Sequence, residues 1–225
     1  MIEISQLKKS YGKKEVLHGI NATFQAGKVY GIIGENGAGK STLFRCIAGL
    51  EDYTGDIKSP YSIIKNHLGL LPTNPLFMRY LTGSEYLRLL CIARDIDRTD
   101  FTQQNIFKLP LDQYADTYST GMQKKLALTG ILLQKNDLFI LDEPFNGVDI
   151  HSNFMIIEII KQLKNSGKTV LLASHIFATL RDTCDGLFWL QNGQLSAEIP
   201  PAEFDHMEQQ MQEGKVNLQL EIFNL

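Results

Sequence analysis

The apolar residues of the chain fall into two repeating patterns, and the order of these patterns predicts an α/β fold. The opening stretch Ile2–Leu7 alternates apolar and polar residues, which is typical of a half-buried strand. Residues 29–33 and 138–141 are short, continuous apolar runs, which suit strands covered on both faces of a mostly parallel sheet. Between them, the apolar positions of 155–163 recur on one helical face, and Gly167 is placed to end that helix. Strands alternating with helices predict a mostly parallel core sheet.

Residues 82–134 follow a different pattern, because they favour helix over a long stretch that has no convincing strand. The segment Thr82-Gly-Ser-Glu85 matches a capping box, in which two side chains reciprocally satisfy the free N–H groups at the start of a helix. An apolar helical run follows it. We therefore expect a small helical subdomain inserted into the sheet, within one domain that spans residues 1–225.

The C-terminal part of the chain contains a hairpin pattern and a tail. Asn192-Gly193 separates two strand-like runs, and this dipeptide is a strong signal for a two-residue hairpin turn. Residues 200–225 begin with two prolines and predict a helix followed by a last strand or tail, to which no chemistry can be assigned.

Composition narrows the classes of protein to which the chain can belong. The 225 residues are 44% hydrophobic and carry a net charge of −3, so no basic field indicates a nucleic-acid partner. The longest apolar runs are far shorter than the ~20 residues that a membrane helix needs. The start of the chain lacks the pattern of a secretory signal, and the three cysteines lack metal-binding spacing. We expect a cytoplasmic protein with reduced thiols.

Residues 34–41 read GENGAGKS, which fits the phosphate-loop pattern G-x-x-x-x-G-K-[ST] at every defined position. A predicted buried strand precedes the loop, and a helical pattern runs from Lys40 to Ala48. The glycines let backbone N–H groups turn toward a phosphate, and the helix adds the positive end of its dipole. Lys40 is expected to reach the β- and γ-phosphates, and Ser41 to ligate Mg²⁺. The predicted nucleotide contacts are Gly34, Glu35, Asn36, Gly37, Ala38, Gly39, Lys40, Ser41 and Thr42.

Two adjacent carboxylates, Asp142 and Glu143, follow the apolar run 138–141. Parallel strands of α/β sheets end at the ligand crevice, so Asp142 is expected beside the phosphates, where it can hold Mg²⁺ through the metal's water shell. Glu143 is then available to orient or deprotonate the attacking water. An Asp-Glu pair alone is equally typical of a helix cap, but a complete phosphate loop in the same chain favours the catalytic interpretation.

The segment between these motifs, Tyr118-Ser-Thr-Gly-Met-Gln123, resembles the signature loop of ABC transporter ATP-binding subunits, in a Ser-x-Gly-Met variant of many bacterial export-type subunits. It lies directly before a helix expected over 124–133. Ser119 offers a hydroxyl, Gly121 permits close backbone approach, and a helix N-terminus forms an anion site. A simple N-cap would have the same residues. The resemblance covers roughly residues 1–199.

This resemblance implies a P-loop NTPase fold with an N-terminal antiparallel β portion, and ATP and Mg²⁺ as cofactors. It also implies a head-to-tail dimer with a second copy of the chain or a related subunit. In such a dimer the phosphate loop of one subunit faces the signature loop of the other, with ATP between them. The residues that would contact ATP across this interface are Ser119, Gly121, Met122 and Gln123.

Three further positions match the family in order. Tyr11 stands where an aromatic ring stacks on adenine, although a surface tyrosine at a strand end is the simpler alternative. The segment Asn146–Asp149 resembles the loop that communicates across the dimer. His175 follows the apolar run 170–173 and matches the histidine that contacts the γ-phosphate. With Lys40 and Glu143, the resemblance therefore assigns His175 to catalysis.

One position departs from the family. Thr73 stands where glutamine is expected in the loop that leads into the helical subdomain. The shorter side chain could act on the metal through a bridging water, and Asn74 supplies an amide one residue later. We hypothesise that Thr73 or Asn74 takes over the role of the glutamine. The segment 55–73 is also short for the antiparallel strands that the family places there.

Two functions remain after these observations. The leading one is an ATP-hydrolysing subunit that powers transport, in the export direction, through a separate transmembrane permease, peripheral on the inner face of the membrane. The alternative is a soluble ABC-type ATPase in nucleic-acid repair, translation or cofactor assembly. Such proteins usually carry a coiled-coil insertion, a second ATPase unit or basic surfaces, and none is visible in the sequence. A regulatory module without turnover is disfavoured by Lys40, Asp142, Glu143 and His175.

Overall fold

The structure, a computed structural model, describes residues 1–216 and contains two sheets and six helices within them. The strands are β1 Ile2–Tyr11, β2 Lys14–Phe24, β3 Val29–Ile33, β4 Thr54–Lys58, β5 Leu68–Leu71, β6 Leu138–Asp142, β7 Thr169–Ala173, β8 Gly186–Gln191 and β9 Gln194–Leu195. The helices are α1 Lys40–Ile47, α2 Gly83–Ile92, α3 Thr120–Leu133, α4 Ile150–Asn165, α5 Phe177–Thr183 and α6 Phe204–Val216.

The six-stranded sheet has the order β5-β6-β7-β3-β8-β9, and its strands are parallel except for β9. Every residue of β3, β6 and β7 is buried, as the continuous apolar runs predict. The α/β prediction is therefore confirmed. Because parallel strands end at one edge of the sheet, the segments after β3, β6 and β7 converge there. These segments carry the phosphate loop, Asp142-Glu143 and His175.

The N-terminal antiparallel sheet has the order β2-β1-β4 and confirms the expected β portion. Strict alternation in β1 fails between Ile4 and Leu7, because the register shifts there and Gln6 adopts a positive φ of 51°. This bulge returns Leu7 to the buried face. Helix α1 contributes Leu43 and Phe44 to a core shared with both sheets.

Segment 55–73 contributes one strand to each sheet, β4 to the antiparallel sheet and β5 to the central one. The sequence analysis located neither strand. Strand β4 is mostly exposed and β5 has only four residues, so neither has the apolar pattern of the buried strands. A single short strand of the segment thus completes the antiparallel sheet.

Helices α2, α3 and α4 cover the other face of the central sheet, where Leu87, Leu126 and Ile156 share a core with Phe139. The predicted capping box is present at the start of α2, since Thr82 and Glu85 bond reciprocally. Between α2 and α3, residues 93–114 form turns rather than helix.

Helix α3 begins at Thr120, four residues before the predicted start at residue 124. The reason is the N-cap, because the Ser119 hydroxyl accepts a hydrogen bond from the Met122 N–H at 3.3 Å. The residues between Thr120 and Gln123 are therefore the first helical turn and not a loop that precedes the helix.

The predicted hairpin joins β8 to β9, and both residues of its turn, Asn192 and Gly193, have positive φ. Its second strand is only two residues long, and Ile199 rejoins the sheet through an isolated bridge to Leu187. Helix α6 confirms the predicted C-terminal helix, whereas the predicted last strand lies outside the described residues.

The three cysteines are buried and free, and burial raises the pKa of Cys46 to about 11.

Candidate nucleotide-binding site

The phosphate loop connects the end of β3 to the start of α1. Gly39 is the N-cap of α1, with a φ of 110°, and a Cβ there would lie 3.0 Å from the Leu17 side chain. Only glycine therefore suits this position. The Lys40 ammonium is buried and donates to the carbonyls of Gly34 at 2.7 Å and Glu35 at 3.2 Å. The loop thus holds the ammonium in its interior, beside the backbone that would surround a phosphate.

Three oxygen-bearing side chains meet at the end of β6. The Ser41 hydroxyl donates to Asp142 Oδ2 at 2.5 Å, and the Thr73 hydroxyl donates to the same atom at 2.7 Å. The other carboxylate oxygen, Asp142 Oδ1, is buried and has no partner. A buried carboxylate oxygen without a partner is costly unless a cation or ligand completes its coordination.

This oxygen cluster fits Mg²⁺, which prefers oxygen ligands and is usually held by one or two carboxylates together with substrate phosphates. Ser41, Asp142 and Thr73 are the residues that would hold the ion. Asn74, the alternative to Thr73, is exposed. Of the two residues hypothesised to take over the role of the glutamine, Thr73 is the one whose side chain contacts Asp142.

Glu143 occupies the next position and reaches a different set of groups. Its Oε2 lies 2.7 Å from His175 Nδ1, and its Oε1 lies 3.9 Å from the Lys40 ammonium. Oε1 is buried and has no hydrogen-bond partner. The pairing follows from sheet register, since Asp142 of β6 lies opposite Ala173 of β7 and each strand is followed by one member of the pair. A carboxylate with one oxygen held and one free can accept a proton from water.

Residues 119–123, the N-cap and first turn of α3, form the Ser119 turn, which packs against the loop that follows β6. A Cβ on Gly121 would lie 2.5 Å from the Gly147 carbonyl oxygen, so glycine is required for this contact. The Lys125 ammonium binds the Asp149 carboxylate at 3.0 Å. The Ser152 backbone N–H also donates to Asp149 at 2.9 Å, and this bond contributes most to holding the Asp149 pKa well below its usual range. The contacts fix the base of the turn, while Ser119 and Thr120 remain exposed.

A cavity of about 510 Å³ adjoins the outer part of the phosphate loop. Its walls come from β2, residues 35–38, the β8–β9 hairpin and the middle of α6, and include Val16 and Trp189. Tyr11 lies outside this cavity, at the end of β1, with the Lys9 ammonium 4.8 Å from its ring centroid. No motif singled out Trp189, because a tryptophan on a strand ordinarily indicates only packing.

Comparison with known proteins decides the family. Residues 17–146, more than half of the chain, match the model of the family described as ABC transporter. The chain belongs to the ABC transporter ATP-binding family. It is an ATPase subunit of that family, and the phosphate loop and the carboxylate pair both lie within the matched residues.

Several ABC relatives resemble the chain over most of its length. The lantibiotic transport ATP-binding protein SrtF of Streptococcus pyogenes is 30% identical, over 100% of this chain and 96% of that protein. The Nod factor export ATP-binding protein I of Rhizobium meliloti (strain 1021) is 32% identical, over 89% of this chain and 64% of that protein. Both alignments extend well beyond the family match.

Solved ABC structures share the fold. An ATP-binding subunit of an ABC transporter superposes with a TM-score of 0.81 at 27% identity, covering 94% of this chain and 93% of its own. The ATP-binding cassette MJ0796, in a dimeric post-hydrolysis state with ADP and Pi, gives a TM-score of 0.80 at 19% identity over 89% of this chain. At that identity the second likeness concerns the fold alone.

The ABC site also contains a residue that no motif indicated. Lys124 on α3 is buried, and its ammonium donates to the Glu143 carbonyl at 2.5 Å. Its sequence neighbour Lys125 is also a lysine, so the sequence contains no signal that one of the two turns inward.

Within residues 1–216, no helix is long and apolar enough to cross a membrane.

Proposed function

We propose that this chain powers export of a cargo through a separate transmembrane permease, as one half of a head-to-tail dimer that closes on two Mg-ATP molecules. One observation carries the proposal: Glu143, with a free buried carboxylate oxygen, lies between Lys40 and His175. The export direction is supported by relatives named for lantibiotic transport and Nod factor export. The partner subunit is a second copy or a related ATPase chain.

In this proposal each side chain of the site has a separate task. Lys40 binds the β- and γ-phosphates by exchanging its contacts with the loop carbonyls for phosphate oxygens. Glu143 orients the attacking water and accepts its proton through Oε1, while His175 fixes the carboxylate through Oε2 and reaches the γ-phosphate. Ser41, Asp142 and Thr73 would hold Mg²⁺, which when bound would supply positive charge to neutralise the phosphates.

The cavity beside the phosphate loop is the proposed place of the nucleoside. It is continuous with Gly37 and Ala38, and its volume of about 510 Å³ lies within the range of ligand pockets, about 300–1,000 Å³. Apolar Val16 and the aromatic ring of Trp189 suit a base, while the stacking role of Tyr11 remains a prediction that requires its ring to turn toward the loop.

The dimer is proposed from the Ser119 turn. Ser119 and Thr120 are exposed, so the start of α3 faces solvent, while Gly121 packs against Gly147 and Lys125 binds Asp149. A helix start with this orientation suits an anionic group outside the chain. In the head-to-tail arrangement that group is the γ-phosphate bound by the partner, with Gly121, Met122 and Gln123 completing the contact.

The permease surface is proposed at an exposed apolar patch formed by Leu76, Met78, Tyr80 and Tyr114. Leu76 is 92% exposed and Tyr80 77% exposed, and the rings of Tyr80 and Tyr114 contact each other edge to face at 5.9 Å. The patch follows the loop that carries Thr73, so movement of the permease would act on the Asp142 cluster directly. Docking there would place the subunit on the inner face of the membrane.

The domain organisation is part of the same proposal. Residues 1–225 form a single ABC-type ATPase domain, and approximately residues 82–134 act as its helical subdomain. This region contains helices α2 and α3, and it includes Tyr114 of the apolar patch. A unit that carries both the Ser119 turn and part of the patch is suited to respond to the nucleotide and to the permease. The role of residues 200–225 stays open.

The Glu143→Gln variant tests the proposal. It removes the proton acceptor but keeps the size of the side chain, so turnover should fall by roughly 10²–10⁴-fold while Mg-ATP binding persists. The variant should then accumulate as a dimer in size-exclusion chromatography with saturating Mg-ATP. The control Glu158→Gln makes the same change at an exposed ion pair on α4 and should hydrolyse ATP normally. A Glu143→Gln protein that stays monomeric would contradict the dimer mechanism.

A further inference from the structure

Lys124 is a lysine in a position where the fold does not need one. Its side chain is 1% exposed, and buried lysines are rare unless they are paired. Burial lowers the pKa of Lys124, and the negative charges of Glu143 and Asp142 oppose that shift. A methionine would fill the same volume without the cost of desolvating an ammonium. The reason for a lysine at this position is therefore the group that its ammonium binds.

It binds the peptide of the proposed catalytic carboxylate. Glu143 has a φ of 53°, a conformation that is uncommon for residues other than glycine. Three hydrogen bonds hold this backbone: the Glu143 N–H donates to Ala173 at 2.9 Å, and its carbonyl accepts from the Lys124 ammonium at 2.5 Å and from the Asn146 N–H at 3.2 Å. This backbone conformation directs the side chain to its place between Lys40 and His175.

Lys124 belongs to the same helix as the Ser119 turn. Lys124 follows Thr120 by four residues and Gly121 by three, so the three residues lie on one face of α3. Gly121 touches Gly147 from the same face. Helix α3 therefore contacts the segment after β6 at two levels, through Gly121 and through Lys124, and the second level reaches Glu143.

We propose that Lys124 is a positioning residue for Glu143: its ammonium fastens the Glu143 peptide to the helix that carries the Ser119 turn. This inference rests on the proposed catalytic role of Glu143. Its consequence in the dimer is a link between the two ATP sites, because the Ser119 turn serves the partner's nucleotide while Glu143 serves the chain's own. A displacement of α3 would move the carboxylate with it.

The test replaces Lys124 by methionine, which matches the length of the side chain and removes both the charge and the donor. We expect kcat for ATP hydrolysis to fall roughly ten- to hundred-fold, because a carboxylate misplaced by about 1 Å loses that much. KM for ATP should change by less than about two-fold, since the phosphate contacts are intact. The melting temperature should stay the same or rise. Lys161→Met, at an exposed lysine of α4, is the matched control.

The outcomes separate a positioning role from a structural one. A lower melting temperature with unchanged kcat in Lys124→Met would overturn the inference. Lys124→Gln, which keeps a neutral donor, should recover part of the lost kcat; an equal loss in both variants would overturn the role of the hydrogen bond. If both proteins are insoluble, the inference is also wrong, because it assigns the ammonium no part in stability.

A parallel measurement on Glu143→Gln separates the inference from the proposed function. If Glu143→Gln hydrolyses ATP at the normal rate, the catalytic role of Glu143 is wrong, and the inference falls with it. If Glu143→Gln is inactive and Lys124→Met retains normal kcat, the proposed function stands and only the role of Lys124 is wrong.

Discussion

Thr73 stands where the family has a glutamine, and its short side chain still reaches a neighbouring carboxylate. Its hydroxyl donates to Asp142 Oδ2, the same atom that accepts from Ser41, so it contributes directly to the proposed magnesium site. A glutamine would reach further into the site, whereas threonine reaches its carboxylate at 2.7 Å because the loop after β5 lies beside the end of β6. Parallel pairing of these two strands provides the proximity.

We therefore expect Thr73→Ala to lower ATP turnover and to raise the Mg²⁺ concentration needed for half-maximal activity, by about ten-fold or more. Magnesium titration of steady-state hydrolysis measures both effects. Thr73→Ser keeps the hydroxyl and should stay close to the unmodified protein. Asn74→Ala should also be nearly normal, because Asn74 is exposed. Normal turnover in Thr73→Ala would remove Thr73 from the site.

The proposed role of Lys40 is to bind ATP. Lys40→Ala removes a charge-assisted contact of about 1.5–3 kcal/mol, so ATP affinity should weaken roughly 10- to 100-fold. ATP affinity can be measured by intrinsic tryptophan fluorescence, since Trp189 is the single tryptophan of the chain and lines the cavity next to the phosphate loop. Its fluorescence should change as ATP is added to the unmodified protein. Equal titration midpoints for the two proteins would contradict the role of Lys40.

At the scale of elements, the ends of α2 and α3 are set by capping side chains. Thr82 and Glu85 bond reciprocally at the start of α2, and the hydrogen bonds from Thr82 hold the pKa of Glu85 below its usual range. Ser119 caps α3 with a single bond, in which its hydroxyl accepts from the Met122 N–H. The two caps differ in use, because the first only starts a helix, whereas the second also supports the proposed contact with ATP.

Thr82→Ala removes the cap of α2 and should lower the free energy of unfolding by about 1 kcal/mol. Urea denaturation followed by circular dichroism measures this change. Thr82→Ser retains the hydroxyl and should remain within a few tenths of a kcal/mol of the unmodified protein. Because Thr82 lies outside the ATP site, kcat in folded protein should be the same for both variants, and a selective loss of kcat would show that the cap does more than start α2.

At the scale of the whole molecule, the two halves of the proposed ATP site belong to different chains. Mixing two defective chains tests this directly. Lys40→Ala damages the phosphate loop, and Ser119→Asp keeps the helix cap while placing a carboxylate against the partner's phosphates. Each homodimer then has two damaged sites, but the mixed dimer has one intact site. ATP hydrolysis should therefore exceed the sum of the separate activities.

The control for this mixing experiment places both substitutions in one chain and adds the unmodified chain. That mixed dimer has one damaged half in each site, so no site is wholly intact. Its activity should not exceed what the unmodified homodimers in the mixture contribute. A mixture of the two single variants that gives only the sum of its parts would contradict shared sites.

The sequence by itself determined the motifs and most of the elements. The eight residues of the phosphate loop, the carboxylates after a buried apolar run, and the capping box are local patterns, and the structure has each where it was predicted. Helix α3 begins four residues before its predicted start, because Ser119 caps it; an N-cap was the alternative that the sequence left open for this segment. The short strands β4 and β5 escaped detection, since exposure and length remove the apolar signal.

Only the tertiary structure decided which groups meet. The pairing of Glu143 with His175, the contact of Thr73 with Asp142 and the inward turn of Lys124 depend on strand order and register, and their partners lie 19 to 69 residues away in the chain. Local patterns cannot specify such distances, because packing between distant segments chooses the partner. Burial and geometry accordingly place the Thr73 hydroxyl on Asp142 and the Lys124 ammonium on Glu143, while Asn74 is exposed.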